Sequence, residues 1–390
     1  MKDVIDTEMA ERLLAHFARR EESVLALARA LVERESPSGD REGSREVVGL
    51  LAEAARGIEG VEDVTRVEFD GYGEHLRVTA FGGASAGARP TVMLGHTDTV
   101  HPRGSLAARP WREEGGRVHG PGVFDMKANC ALALEALRAC AELNLRPRRP
   151  VVLLLTCDEE DGSPDGRALV EREARGAGQV LVLEPPAPGG SVKTARKGTG
   201  VFTLRCEGRA AHAGLDPEKG ASAVLEMARQ IERLHSLSDP SRGVTVNVGV
   251  VSGGTRSNVV AAEASAEIDL RFETGEDAMR LAESLLHPRP FDERVRLTAG
   301  GGINRPPLER TAGVARLDGR ARAVAAALGF ELGEAKVGGA SDGNFAAAVG
   351  ADVLDGLGVE GDGAHAEHEH ILRASVARRG ALLAGLIATL

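Results

Sequence analysis

Aromatic side chains are few: nine Phe, one Tyr and one Trp make up 3% of the 390 residues. Aliphatic packing must therefore carry the core, and Leu, Val and Ala are abundant. Cysteine is sparse too. Cys130, Cys140, Cys157 and Cys206 lie far apart with no Cys-x-x-Cys pair, which argues against a disulfide framework and a thiolate zinc site and leaves reduced core cysteines. No apolar run approaches the ~18 residues of a membrane helix. The opening "MKDVIDTEMAERLLAHFARREE" is charged throughout, where a secretory signal would carry an apolar stretch. A cytoplasmic location with no membrane partner is the expectation. The formal net charge is −10 and no block of Lys or Arg stands out, so the basic footprint that nucleic acid requires is missing. No Gly-x-Gly-x-x-Gly follows a strand, which speaks against a nicotinamide-dependent oxidoreductase.

What is present is enough for two domains. Helical spacing over "EMAERLLAHFARREESVLALARALVERE" gives an opening helix, broken by the turn residues "SPSGD". "VTRVEF", "HLRVTAF" and "PTVML" read as strands, and "MKANCALALEALRACAELNL" as a helix. "PVVLLLT" and "GQVLVLE" are continuous apolar strands of the type buried on both faces of a mostly parallel sheet. The pattern changes near residue 199: "GVFTLRCEG" alternates, as an antiparallel strand with one wet face does. Three more strands ("GVTVNVGVVSGG", "ASAEIDLRFE", "ERVRLTA") and two helices ("ASAVLEMARQIERLHSL", "GEDAMRLAESLLH") complete a compact α+β unit. From about residue 310 the first style returns. The expected architecture is α/β: a mixed, mostly parallel sheet sandwiched by helices over residues 1–198 and 310–390. A four-stranded antiparallel sheet with two helices is inserted at 199–309.

Polar chemistry gathers at the strand ends. "TVML" runs into His96 and Asp98, and "VVLLLT" into Asp158, Glu159 and Glu160. "VLVL" ends at Glu184, and "ADVLDGL" leads to "GAHAEHEH". Open α/β sheets place their ligand crevice beyond the carboxyl ends of the strands. A lone His-x-Asp or Asp-Glu-Glu is more often a solvated turn, but four strand ends converging on one rim outweigh that reading. So many carboxylates cannot all ionise at short range without positive charge among them. Mixed imidazole and carboxylate ligation suits Zn²⁺ or a related ion.

These residues resemble the dinuclear zinc amidohydrolases and peptidases that include glutamate carboxypeptidase, aminoacylase, acetylornithine deacetylase and succinyl-diaminopimelate desuccinylase. The resemblance runs in order through "LVERESPSGD", "GHTDTV", "HGPGVFDMKAN", "TCDEEDGS", "VLEP", "GRAAHAG", "VSGGTRSNVVAAEASAEIDLRF", "GGASDGN" and "GDGAHAEHE". It is strongest to the glutamate carboxypeptidase branch. It implies two Zn²⁺ per subunit, with Co²⁺ or Mn²⁺ as alternatives: His96 and Glu184 on one, Glu160 and His365 on the other, Asp125 bridging. Asp98 would fix the His96 tautomer, and Glu159 would be the general base toward a metal-bridging water. A cis peptide is expected at Asp125–Met126. "HAEHEH" offers His365, His368 and His370, and the family spacing selects His365 with Glu369; His101 and His119 are expected to be loop residues near the rim and not ligands.

The inserted unit resembles the family's lid, through which a homodimer would form. There His212 would reach the partner's site and stabilise an oxyanion, Asn258 would contact substrate, and Arg271 would clamp a free carboxylate. Gly339 would bring backbone close to substrate. The Arg196–Lys197 pair departs from the best-known glutamate carboxypeptidase. The implied activity is hydrolysis of an amide next to a free carboxylate, in a small molecule or short peptide. The alternatives are an N-acyl amino acid deacylase or dipeptidase, and a catalytically silent scaffold that kept the ligands. The presence of Glu159 argues against the last, since a scaffold needs no base.

Overall fold

The computed structural model describes residues 4–83 and 87–390. In chain order its principal strands are β1 (Val61–Phe69), β2 (Gly73–Ala80), β3 (Thr91–His96), β4 (Val151–Thr156) and β5 (Gln179–Val182). They continue with β6 (Gly198–Glu207), β7 (Thr245–Gly253), β8 (Glu263–Phe272), β9 (Arg296–Arg305) and β10 (Val353–Leu354). The principal helices are α1 (Thr7–Val32), α2 (Arg41–Arg56), α3 (Ala128–Glu142), α4 (Gly166–Gly176), α5 (Ala223–His235), α6 (Gly275–Leu286), α7 (Ala312–Ala327), α8 (Gly343–Ala348) and α9 (Val376–Thr389).

The chain divides into two compact units. The larger comprises residues 1–195, 310–337 and 341–390; the smaller comprises 196–309 with 338–340. In the larger, six strands run in the order β1-β2-β4-β3-β5-β10. The pairs β3/β4, β3/β5 and β5/β10 are parallel, and β1/β2 and β2/β4 antiparallel. β3, β4 and β5 are buried at every residue, which is why their sequences are unbroken apolar runs. Helices α1, α3 and α9 pack on one another, α2 lies on β1 and β2, and α4 packs against α8 and β3.

α2 departs from the sequence expectation, in which "SPSGD" is a break and no helix follows it. Asp40, the last residue of that turn, caps the new helix by accepting the Gly43 N–H at 3.0 Å. Val47, Val48, Leu51, Ala52 and Ala55 form its buried stripe. All four cysteines are buried and unpaired. Among the described residues no helix is long and apolar enough to cross a membrane.

The smaller unit is a four-stranded antiparallel sheet, ordered β7-β8-β6-β9. Phe202, Leu204, Cys206, Ala264, Ala266, Ile268, Leu270 and Phe272 alternate inward from β6 and β8. They form one core with Met227 and Leu234 of α5 and Leu281 and Leu285 of α6. The four strands and two helices expected for the inserted segment are all there.

Candidate metal centre

His96 is the last residue of β3 and is buried. Its Nδ1 stands 3.0 Å from the Asp98 main-chain oxygen and 3.3 Å from Asp98 Oδ1. Its Nε2 faces Asp125 Oδ1 at 3.2 Å and Glu184 Oε1 at 3.6 Å. His365, with a left-handed backbone at φ +64°, brings Nε2 to 3.4 Å from Asp125 Oδ2 and 3.2 Å from Glu160 Oε2. Asp125 therefore lies between two imidazoles, one at each carboxylate oxygen. The backbone reaches it from Gly122, and the Asp125–Met126 peptide is cis, as expected.

The electrostatics follow from that crowding. Burial acts to lower the His96 pKa, but Asp125, Asp98 and Glu184 outweigh it and hold the imidazole well above its usual value. His365 is pushed up to about 10 by its contacts with Asp125 and Glu160. Burial acts to raise Asp125, yet His365 and His96 leave it below the usual carboxylate range. For Glu160 burial wins over the His365 contact, and its pKa is raised. Each Nε2 is thus confronted by two carboxylates and must carry a proton or meet a cation.

The residues fit a divalent ion. Glu160 Oε1 is buried without a hydrogen-bond partner, a lone pair held away from water with nothing to accept. His96, Asp125 and Glu160 each offer a ligand atom, all within 4.8 Å of one another. Imidazole and carboxylate donors without thiolate suit Zn²⁺ and its neighbours.

Neighbouring groups orient these side chains. Asp98 accepts the Glu159 N–H through Oδ1 at 3.2 Å, and the Glu160 N–H and the Ser38 hydroxyl through Oδ2 at 3.1 and 2.6 Å. Asp158, buried, accepts the N–H groups of Asp165 and Gly166 at 2.8 and 2.9 Å, closing the loop that begins with Glu159 and Glu160. Asp342 takes hydroxyl bonds from Thr156, at 2.9 Å, and Ser163. Gly95 allows the close packing under His96: a Cβ there would stand 2.6 Å from Met126 Cε. Sequence reasoning missed the parts played by Ser38, Asp158 and Asp342. Each lies within a stretch the sequence singles out ("LVERESPSGD", "TCDEEDGS" and "GGASDGN"), but nothing there gives the side chain its partner.

Of the other histidines, His368 is exposed with Nε2 4.0 Å from Asp362. His370 is buried on a short strand (His370–Leu372) and lies 5.2 Å, ring to ring, from His119. His119 is itself in a strand (Arg117–His119) rather than a loop. His101 is in a loop but buried, with Nε2 2.6 Å from Glu369.

In the smaller unit, His212 and Asn258 lie on adjoining segments: Ala213 N–H donates to the Asn258 carbonyl at 3.0 Å, and both residues are exposed. His212 Nδ1 accepts the N–H groups of Gly214 and Leu215, each at 3.1 Å, so in the neutral ring the proton sits on the exposed Nε2. The Arg271 guanidinium already forks Asp269, with bonds of 2.8, 3.1 and 2.9 Å. Arg196 is buried and donates to the carbonyls of Gly339 and Ala340 at 3.0 and 3.3 Å.

Comparison with known proteins identifies a family. The sequence profile of peptidase family M20/M25/M40 matches residues 92–389. Carboxypeptidase G2 from Pseudomonas sp. (strain RS-16) is 31% identical over 310 residues, 77% of this chain and 74% of that one. Succinyl-diaminopimelate desuccinylase from Verminephrobacter eiseniae is 29% identical, over 72% and 73%. The crystal structure of aminopeptidase PepT from Bacillus cereus shares the fold with a TM-score of 0.80, 23% identity and coverage of 95% and 98%.

Proposed function

The chain belongs to peptidase family M20/M25/M40 and is a hydrolase of peptide or amide bonds; from that premise we propose that it is a metal-dependent glutamate-type carboxypeptidase. Its substrate would carry a free carboxylate beside the scissile amide. The observation that carries the reading is Asp125 flanked by His96 and His365, with the buried Glu159 next to the half-buried Glu160.

His96 and Glu184 would hold one divalent ion, Glu160 and His365 a second, with Asp125 shared; Zn²⁺ is the first choice, Co²⁺ and Mn²⁺ the alternatives. When bound, the ions supply Lewis acidity toward the scissile carbonyl and make water acidic enough to attack at neutral pH. Glu159, buried and not counted among the ligands, accepts the proton of the attacking water and returns it to the leaving amine. Asp98 keeps His96 turned by holding its Nδ1–H. His212 presents Nε2–H as an oxyanion donor. Asn258 and the Gly339 backbone contact substrate. Arg271 takes the free carboxylate by exchanging Asp269 for it.

The functional unit is a homodimer formed through residues 199–309. β7 is an edge strand with no charged side chain from Val244 to Thr255. Val250 and Val251 on it are 53% and 57% exposed, and Val224 and Leu225 of α5 are 44% and 54% exposed. An uncharged apolar edge of that kind invites strand pairing.

An N-acyl amino acid deacylase is the second reading, favoured by the likeness to the desuccinylase. The test is a panel of N-acyl-glutamates, dipeptides and N-acetyl amino acids, run on metal-free protein before and after adding Zn²⁺. Metal-dependent turnover fastest on N-acyl-glutamates supports the carboxypeptidase. A preference for acyl groups on other amino acids moves the assignment to a deacylase, and no turnover with metal bound overturns both.

A further inference from the structure

Glu369 lies four residues beyond His365 and is buried, yet it faces away from the carboxylate cluster toward the turn that presents Asp125. Its Oε2 accepts the Gly122 N–H at 2.7 Å, and its Oε1 the N–H groups of Phe124 and Asp125 at 2.9 and 3.0 Å. His101 Nε2 is 2.6 Å from Oε2. Each carboxylate oxygen therefore has two donors.

The string continues outward. Arg109 Nη2 is 3.2 Å from His101 Nδ1, and Arg109 Nη1 donates to the Ala366 carbonyl at 3.3 Å. A guanidinium only donates, so Nδ1 must accept and the ring proton must sit on Nε2, aimed at Glu369. Ala366 is the residue after His365, whose backbone is itself left-handed. One hydrogen-bonded path thus joins the peptide beside His365 to the backbone of Asp125 through Arg109, His101 and Glu369.

We propose that His101 and Arg109 are positioning residues for the metal centre: they fix the Asp125 turn and the His365 loop against each other, and so set ion affinity without touching the ions. The inference rests on the metal-site reading of Asp125 and His365. Partners that orient ligands typically contribute about 10–100-fold to metal affinity, and that is the scale expected here.

The experiment uses three variants of the full-length protein. His101→Leu keeps volume but removes both hydrogen bonds. His101→Gln retains a donor and an acceptor. Arg109→Met removes the outer donor at a partly exposed site. Three quantities are read: exchange of the Gly122, Phe124 and Asp125 amides in the metal-free protein, Zn²⁺ affinity by competition with a chelator, and kcat and KM separately.

His101→Leu is expected to speed exchange at those amides, weaken the looser Zn²⁺ about tenfold or more, and lower kcat with KM nearly unchanged. Arg109→Met should shift the same quantities in the same direction by less, and His101→Gln should return them most of the way to wild type. Unchanged exchange and affinity in His101→Leu would overturn the proposal, and so would a His101→Gln as impaired as His101→Leu, which would make ring packing the cause. Should His101→Leu not fold, Arg109→Met decides alone, and wild-type exchange and affinity in it overturn the inference. Exchange and affinity need no substrate, so a failed substrate panel would remove the proposed activity and leave this result standing.

Discussion

The Asp98 carboxylate accepts the backbone N–H of Glu159 at 3.2 Å, and through its other oxygen that of Glu160 at 3.1 Å. One side chain beyond β3 therefore orients the His96 ring and the start of the loop after β4. Burial acts to raise the Asp98 pKa, but bonds from His96, Ser38 and the Glu160 N–H prevail and keep it ionised below its usual value. Asp98→Asn would turn an NH₂ donor toward groups that themselves donate. The expected outcome is a loss of about 10–100-fold in Zn²⁺ affinity, with kcat falling too, measured by chelator competition and steady-state kinetics. Wild-type affinity would detach Asp98 from the centre.

Glu159→Gln separates catalysis from binding at the same loop. The amide keeps the shape and the backbone bond to Asp98 but cannot take a proton. Turnover should fall by about 10²–10⁴-fold while metal content, read by elemental analysis, stays at the wild-type level. Turnover equal to wild type would remove Glu159 from the reaction, and a lost ion would make it a ligand instead.

These side chains differ in how far the sequence exposes them. His96, Asp158, Glu159, Glu160 and Glu184 all follow strands legible as apolar runs, and strand ends point to one rim by topology alone. The Arg271–Asp269 pair was also within reach, since residues two apart on a strand share a face. What stayed hidden is what depends on long-range pairing. Glu369 meets the Asp125 N–H across 244 residues, and no periodicity encodes a carboxylate's choice of three amide partners. α2 is hidden for a different reason: its cap residue Asp40 doubles as turn chemistry, so "SPSGD" reads as a break and not as a helix start.

The metal-free protein should carry a pH signature. His365 is held at about 10 in the folded chain by Asp125 and Glu160, against about 6.5 when unfolded. A raised imidazole pKa stabilises fully below pH 6.5 and loses that contribution as pH climbs through 10. Lys127, pushed down to about 8 by burial, works with the opposite sign above pH 8, so the clean window is pH 6.5 to 8. The Tm of chelator-treated protein should fall across that window and fall less steeply in His365→Ala. Equal slopes in the two would contradict the assignment of these contacts.

The proposal that His212 donates into the partner's site of a homodimer meets its sharpest test in mixed dimers. Glu159→Gln subunits lack the base and His212→Ala subunits lack the donor, so each homodimer should be nearly inactive. In a mixed dimer the subunit with an intact Glu159 faces a partner with an intact His212, while the other site lacks both. Equal mixing gives half mixed dimers with one good site in two, so about a quarter of wild-type activity should return on subunit exchange. If His212 served the site of its own chain, neither subunit of the mixed dimer would be whole and mixing would restore nothing. The recovered rate after co-refolding the two variants, set against each alone, decides between the two arrangements.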